Sequence, residues 1–79
     1  MEMLKVHILR KLYKHTYIGR RHLAKEDLMQ GLPKDKRRMK DIEKAVKELL
    51  NQGFLIIHKK GSRVSINPKM LKEIKEIVQ

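Results

Sequence analysis

Residues 35–68 read DKRRMKDIEKAVKELLNQGFLIIHKKGSRVSINP, and this stretch decides the fold. Met39, Ile42, Ala45, Val46, Leu49 and Leu50 recur at the helical period and form one apolar stripe, which predicts a helix over 35–52. Asp35 near its start suits the helix dipole, and Gly53 is a natural residue to follow its end. The period then switches to two. In a hairpin over 54–67, Leu55, Ile57, Val64 and Ile66 share one face, and the other is polar apart from Ile56. A two-residue loop at Gly61-Ser62 sets Lys60 opposite Arg63, Lys59 opposite Val64, His58 opposite Ser65 and Ile57 opposite Ile66. Asn67-Pro68 supplies an N-cap and a first-turn proline for a last helix over 68–78.

Upstream, Leu4, Ile8, Leu9 and Leu12 predict a helix over 3–15. Lys5 falls inside its apolar arc, so either the first turn frays or the stem lies along apolar surface with its ammonium in water. Thr16-Tyr17-Ile18-Gly19 ends this helix, and Tyr17 and Ile18 suit a very short strand. Residues 24–30 read as a short second helix with Leu28 and Met29 inward and Glu26 and Asp27 in the first turn. Leu23 stands at the expected N-cap, so that start is weakly specified. Gly31-Leu32-Pro33 turns the chain away. The order is helix, short strand, helix, helix, hairpin, helix. It is the order of a winged helix-turn-helix domain with a C-terminal helix, an α+β, mostly α fold. The expectation is one domain over 1–79, with a recognition helix at about 35–52, a wing at about 55–66 and a C-terminal helix at about 68–78.

A chain of 79 residues leaves room for one small core and little for a large pocket. No cysteine is present, which excludes a disulfide framework and thiol ligation of zinc and fits a reducing setting. No apolar run has the length of a membrane span, and no signal peptide is read. With 20 Lys plus Arg against 9 Asp plus Glu, the net charge of +11 makes a polyanion the leading partner. Tyr13, Tyr17 and Phe54 are the only aromatics of the Phe/Tyr/Trp class, too few for a base-stacking platform.

On the 35–52 helix the charge has a direction. Opposite the apolar arc come Lys36, Lys47, Lys40, Asn51, Lys44 and Arg37, with no acid among them; Glu43 borders them on one side, Glu48 and Asp41 on the other. Lys36, Lys40 and Lys44 repeat at i, i+4, an arrangement that costs about 0.2–0.5 kcal/mol per like-charge contact in an isolated helix. A phosphate backbone removes that cost and releases counterions. The alternative is a solvated lysine face. Arg37 is the candidate for a bidentate contact with guanine, whereas Arg38 lies toward the apolar side and suits a pair with Asp41 or Asp35. Lys59, Lys60 and Arg63 around Gly61 suit either a phosphate or minor-groove probe or charge protection of an edge strand. Arg20 and Arg21, after Gly19, suit phosphate contact or a solvated loop.

Four histidines, His7, His15, His22 and His58, show no metal-ligand spacing, so no metal is expected; His22 is read as a backbone-bonding residue at the helix entry. Ser62 and Ser65 have no positioned base, and Gly31 and Gly61 form no phosphate loop. The expectation is a protein that is not an enzyme and has no cofactor or small-molecule ligand. The stripe Met70, Leu71, Ile74, Ile77, Val78 either packs on the first helix or pairs with its copy in a homodimer.

Ile18-Gly19-Arg20-Arg21-His22, Gly31-Leu32-Pro33-Lys34, Lys47-Glu48-Leu49-Leu50-Asn51-Gln52-Gly53 and Val64-Ser65-Ile66-Asn67-Pro68 resemble stretches of the small archaeal winged helix-turn-helix proteins, in the same order. The resemblance covers about the whole chain. It departs from that family at Leu23, where Ser or Thr is usual, and in a short hairpin without an aromatic at its tip. It implies a recognition role for 35–52, a wing at 55–66 and an archaeal, cytoplasmic protein. Residues and resemblance together point to binding of double-stranded DNA by a transcriptional regulator or chromatin-associated factor, with a protein-interaction module and an RNA-binding protein as the alternatives.

Overall fold

The computed structural model describes residues 2–79, apart from the side chain of Lys36. Three α-helices and a three-stranded antiparallel sheet enclose one core: α1 Met3–Lys14, β1 Leu23–Ala24, α2 Met39–Asn51, β2 Leu55–His58, β3 Arg63–Ile66 and α3 Leu71–Val78. The sheet order is β1-β3-β2. Among the described residues, no helix is long and apolar enough to cross a membrane.

Helix α1 buries Ile8, Leu9 and Leu12 completely. Lys5 lies in that buried arc, 8% exposed, and its Nζ emerges beside Glu48 Oε2 at 3.4 Å. The stem does cover apolar surface, and the ammonium finds α2 rather than open water. Helix α3 packs on α1, and Ile74 is fully buried in the core. Intramolecular packing thus takes the centre of the C-terminal stripe, while Met70, Leu71, Ile77 and Val78 stay half-buried.

The third helix is shorter than its sequence predicts. A separate three-ten turn holds Lys34–Lys36, Arg37 breaks it with ψ 57, and Arg38 is extended. The reason is burial. Met39 is the first residue of the apolar stripe, and Asp35, Arg37 and Arg38 are exposed, with no core contact to stabilise another helical turn. The second helix contracts likewise, to a three-ten turn over Lys25–Met29 that lacks a side-chain cap. Pro68–Met70 forms a three-ten turn before α3; Asn67 caps it, accepting from the Lys69 amide at 3.1 Å and donating from Nδ2 to Gly53 O at 2.9 Å.

The early strand falls later than expected. Leu23 is a strand residue opposite Val64, because an apolar side chain is better placed on the core face than at a helix cap. Ile18 makes only a single parallel bridge, to Ile66. The hairpin register differs by two residues from the predicted one: Leu55 faces Ile66, Ile56 Ser65, Ile57 Val64 and His58 Arg63. An even shift keeps Leu55, Ile57, Val64 and Ile66 on one face, so alternation cannot distinguish the two registers. A four-residue turn, Lys59–Ser62, replaces the two-residue loop and uses positive φ at Lys59, Lys60 and Gly61. Ile57, at the far end of the core face, is 45% exposed.

Candidate nucleic-acid interface

Helix α2 packs on β2 and lies across α1, so its buried stripe faces inward on two sides. That packing leaves Lys40, Lys44 and Lys47 exposed on the opposite face. Among the described residues, none of the three has an ion pair or hydrogen bond, and the single ion pair is Lys5 with Glu48. Glu43 and Asp41 are exposed at the borders, and Glu48 is turned to Lys5. The acid-free sector therefore survives folding, as three lysines rather than five cations.

Asn51 ends α2, exposed, but the other two cations of that predicted sector sit elsewhere. The backbone of Lys36 belongs to the preceding three-ten turn, off α2, and its side chain lies outside the described residues. Arg37 lies in the bend before α2, and its Nε donates to Leu32 O at 2.7 Å, fixing the turn. It is a turn-bracing residue as well as an exposed cation, not a residue of the helix face. Arg38 opens α2, exposed, and makes no ion pair with Asp35 or Asp41.

Lys59 and Lys60 are exposed at the hairpin tip. Both hold left-handed backbone, φ 51 and 56, a conformation that costs a non-glycine residue about 1–2 kcal/mol. The tip is tied down: Ser62 donates from its amide and its hydroxyl to Lys59 O, and Ser62 O accepts the Lys25 amide at 3.0 Å. Arg63 is not at the tip. It opens β3, half-buried, and its Nε donates to His22 Nδ1 at 2.7 Å while Nη2 donates to His22 O at 3.3 Å. Arg20 and Arg21 are exposed in the loop after α1, with the Arg21 guanidinium 5.1 Å from the Tyr17 ring centroid.

The sequence reading missed a polar cluster on the outer face of the sheet. His22 and His58 stack with centroids 4.5 Å apart. His22 thus accepts from Arg63 through its ring instead of bonding backbone at the helix entry. His58 Nε2 lies 2.9 Å from Ser65 Oγ, and the fully buried Ser65 donates to Gly19 O at 2.7 Å. A serine hydroxyl has one proton, and a carbonyl only accepts. Ser65 therefore accepts from His58, so the pair runs opposite to a nucleophile and its base. Partial burial holds His22 below the ordinary histidine pKa, and His58, Arg63 and Lys59 act in the same direction. Only the position of β1 brings His22 here, and no local sequence signal carried that position.

Several basic side chains of α1 have internal roles, though exposed Lys14 has none among the described residues. His7 Nε2 donates to Leu28 O at 3.1 Å, and Lys11 Nζ donates to Asp27 O and to Gln30 O. These groups satisfy the carbonyl end of the uncapped turn Lys25–Met29. Burial lowers the Lys11 pKa, Asp27 opposes that, and Arg37 adds to it. Arg10 Nε donates to Val78 O at 3.4 Å. Among the described residues, no three His, Asp or Glu side chains converge as metal ligands would.

Comparison with known protein families, with curated proteins and with solved structures finds no match to this chain.

Proposed function

We propose that the protein binds double-stranded DNA as a winged helix-turn-helix domain, with α2 in the major groove and the hairpin on the adjacent backbone. The observation that carries the reading is the face of α2: Lys40, Lys44 and Lys47, exposed and without internal partners among the described residues, opposite a stripe that is buried. The element order and the sheet order β1-β3-β2 agree with such a domain. Exposed Lys59 and Lys60 extend the positive surface onto the hairpin that follows α2. With Arg37 fixed to Leu32 O through Nε, its terminal nitrogens remain for phosphate or base contact at the start of the helix. A role in transcription regulation or chromatin organisation, in an archaeal cytoplasm, follows from the resemblance described above.

The test is anisotropy with labelled duplex DNA across a salt series. Affinity falls steeply with salt, by a slope of about 0.9 per phosphate neutralised. Lys40→Glu with Lys44→Glu weakens binding by a factor on the order of 10²–10³ and flattens the slope. Affinity indifferent to salt, or to this variant, refutes the reading.

One observation favours a protein-interaction module as a second reading. A groove of about 830 Å³ runs between α1 and the start of α2, lined by Met3, Leu4, Leu32 and Ala45 and, in about equal number, by polar and charged residues including Arg10, Asp41 and Lys44. Met3 is 83% exposed at its edge. DNA binding that depends on Lys40 and Lys47, neither of which lines this groove, separates the first reading from this one.

A further inference from the structure

Strand pairing brings three separate segments to one spot on the outer face of the sheet. His22 precedes β1, His58 ends β2 and Arg63 opens β3. The neighbouring charged groups come from every one of these segments and are cationic. Arg21 stands before His22, Lys25 follows β1, Lys59 and Lys60 follow His58, and Arg63 contacts His22 directly. The nearest acids along the chain, Glu26 and Asp27, belong to the turn Lys25–Met29, and Asp27 carries its effect to Lys11 on the far side. Arg63 and Lys59 act on His22 as positive charges, and among the described residues neither has an ion pair.

The hydrogen bonds decide which ring can gain a proton. His22 Nδ1 accepts from Arg63 Nε, so a proton there would face a donor. His58 donates from Nε2 to Ser65 Oγ, since the Ser65 proton goes to Gly19 O. Among the described residues nothing bonds His58 Nδ1, and protonation there breaks no hydrogen bond.

We infer that His58, with Arg63 and Lys59, seats a backbone phosphate of the duplex and takes up one proton from solvent as it does so. The inference rests on the DNA-binding reading and adds a site to it. The phosphodiester keeps its single negative charge, the imidazole becomes imidazolium, and its new Nδ1–H joins the Arg63 and Lys59 donors on the phosphate oxygens. In the complex the phosphate's negative charge lies against the imidazolium. Binding is therefore linked to protons. Affinity rises as pH falls through the histidine range and levels off on either side, at most about tenfold per pH unit for one proton.

The experiment measures duplex affinity at fixed salt from about pH 8 to about pH 5.5 for the wild type, His58→Gln, His15→Gln and Lys40→Glu with Lys44→Glu. The amide of His58→Gln retains a donor for Ser65. The wild type tightens about tenfold over this range. His58→Gln loses most of the tightening, His15→Gln keeps it, and the lysine variant binds more weakly at every pH with its slope intact. Nitrogen-15 spectra of the wild-type histidines supply a readout without mutation: adding duplex at fixed pH places a proton on His58 Nδ1. Salt-dependent binding with a flat pH profile, or a slope that His58→Gln retains, overturns the inference and leaves the DNA reading standing. No binding at any pH in low salt overturns both.

Discussion

Helices α1 and α2 each place basic side chains on successive turns, yet the two sets have different partners. On α1, Lys5 pairs with Glu48, His7 holds Leu28 O, Arg10 holds Val78 O and Lys11 holds two carbonyls of the segment Asp27–Gln30. On α2, Lys40, Lys44 and Lys47 have no internal partner among the described residues. The difference lies in what each helix lies against. Helix α1 passes the carbonyl ends of a three-ten turn and of α3, where the exposed backbone acceptors and the helix dipole both favour a cation. Helix α2 keeps its basic face exposed, with only Lys44 at the edge of the groove beside α1. A net charge of +11 therefore overstates the charge available to a partner, because much of the +5 in residues 1–22 holds the fold together.

Crossed variants break the comparison if it is wrong. Lys40→Glu with Lys44→Glu is expected to have the largest effect, the loss of DNA affinity given above, while its urea midpoint stays near the wild-type value. Substitutions at exposed positions without partners usually change stability by less than about 0.5 kcal/mol. Lys11→Met is expected to do the reverse. It keeps the stem and removes the ammonium from Asp27 O and Gln30 O, at a cost of about 1–2 kcal/mol for charge-assisted hydrogen bonds in a half-exposed site. Affinity per folded molecule should hold. If Lys11→Met weakens DNA binding without moving the urea midpoint, the two helices do not divide their roles in this way.

The same contrast explains which parts of the molecule the sequence made legible. The α2 stripe and the sheet alternation were readable because burial imposes a period, and each period matches what is buried. The start of α2 was not. Residues 35–38 continue the helical spacing of charge, but charge without a buried stripe does not hold a helix, and the chain forms a bend at Arg37 instead. Alternation fixed the parity of the hairpin but not its register, which the left-handed tip residues Lys59 and Lys60 decide. Of the candidate site, Lys40, Lys44, Lys47, Lys59 and Lys60 are exposed as expected. Arg63 and the histidines required knowing that Leu23 is a strand residue. Its misreading as a cap hid the segment that brings His22 to His58.

The two helices also end differently, and this yields a smaller expected effect. Both close with the same pair of backbone bonds. Tyr17 N–H donates to Leu12 O and Thr16 N–H to Tyr13 O after α1; Phe54 N–H donates to Leu49 O and Gly53 N–H to Leu50 O after α2. Each motif needs one residue in left-handed backbone. After α2 it is Gly53 at φ +84, and after α1 it is Thr16 at φ 58, a β-branched residue where glycine is usual. Thr16→Gly is expected to stabilise the protein by about 0.5–1 kcal/mol, the relief of strain being reduced by glycine's greater freedom when unfolded. Gly53→Ala is expected to destabilise by about 1 kcal/mol. A Cβ there meets nothing within 4 Å, so the effect is conformational and not steric. Thermal midpoints of the two variants should move in opposite directions, and movement in the same direction refutes the shared motif.

The smallest expected effect concerns acid. His22 differs from the α1 cations because Arg63 requires its Nδ1 to be an acceptor. Its pKa in the folded protein lies below the ordinary value for two reasons: partial burial, and the positive neighbours His58, Arg63 and Lys59. The unfolded chain, with an ordinary imidazole, binds a proton first as pH falls below about 6.5. By linkage, the stability that the neutral ring supports is complete above that pH and declines as pH drops toward the folded-state pKa. Urea midpoints between about pH 7.5 and 5 should fall more for the wild type than for His22→Gln, which offers Arg63 a side-chain acceptor that does not titrate. Equal declines in the two proteins would assign the acid sensitivity to the other histidines and remove His22 from the account of the sheet's outer face.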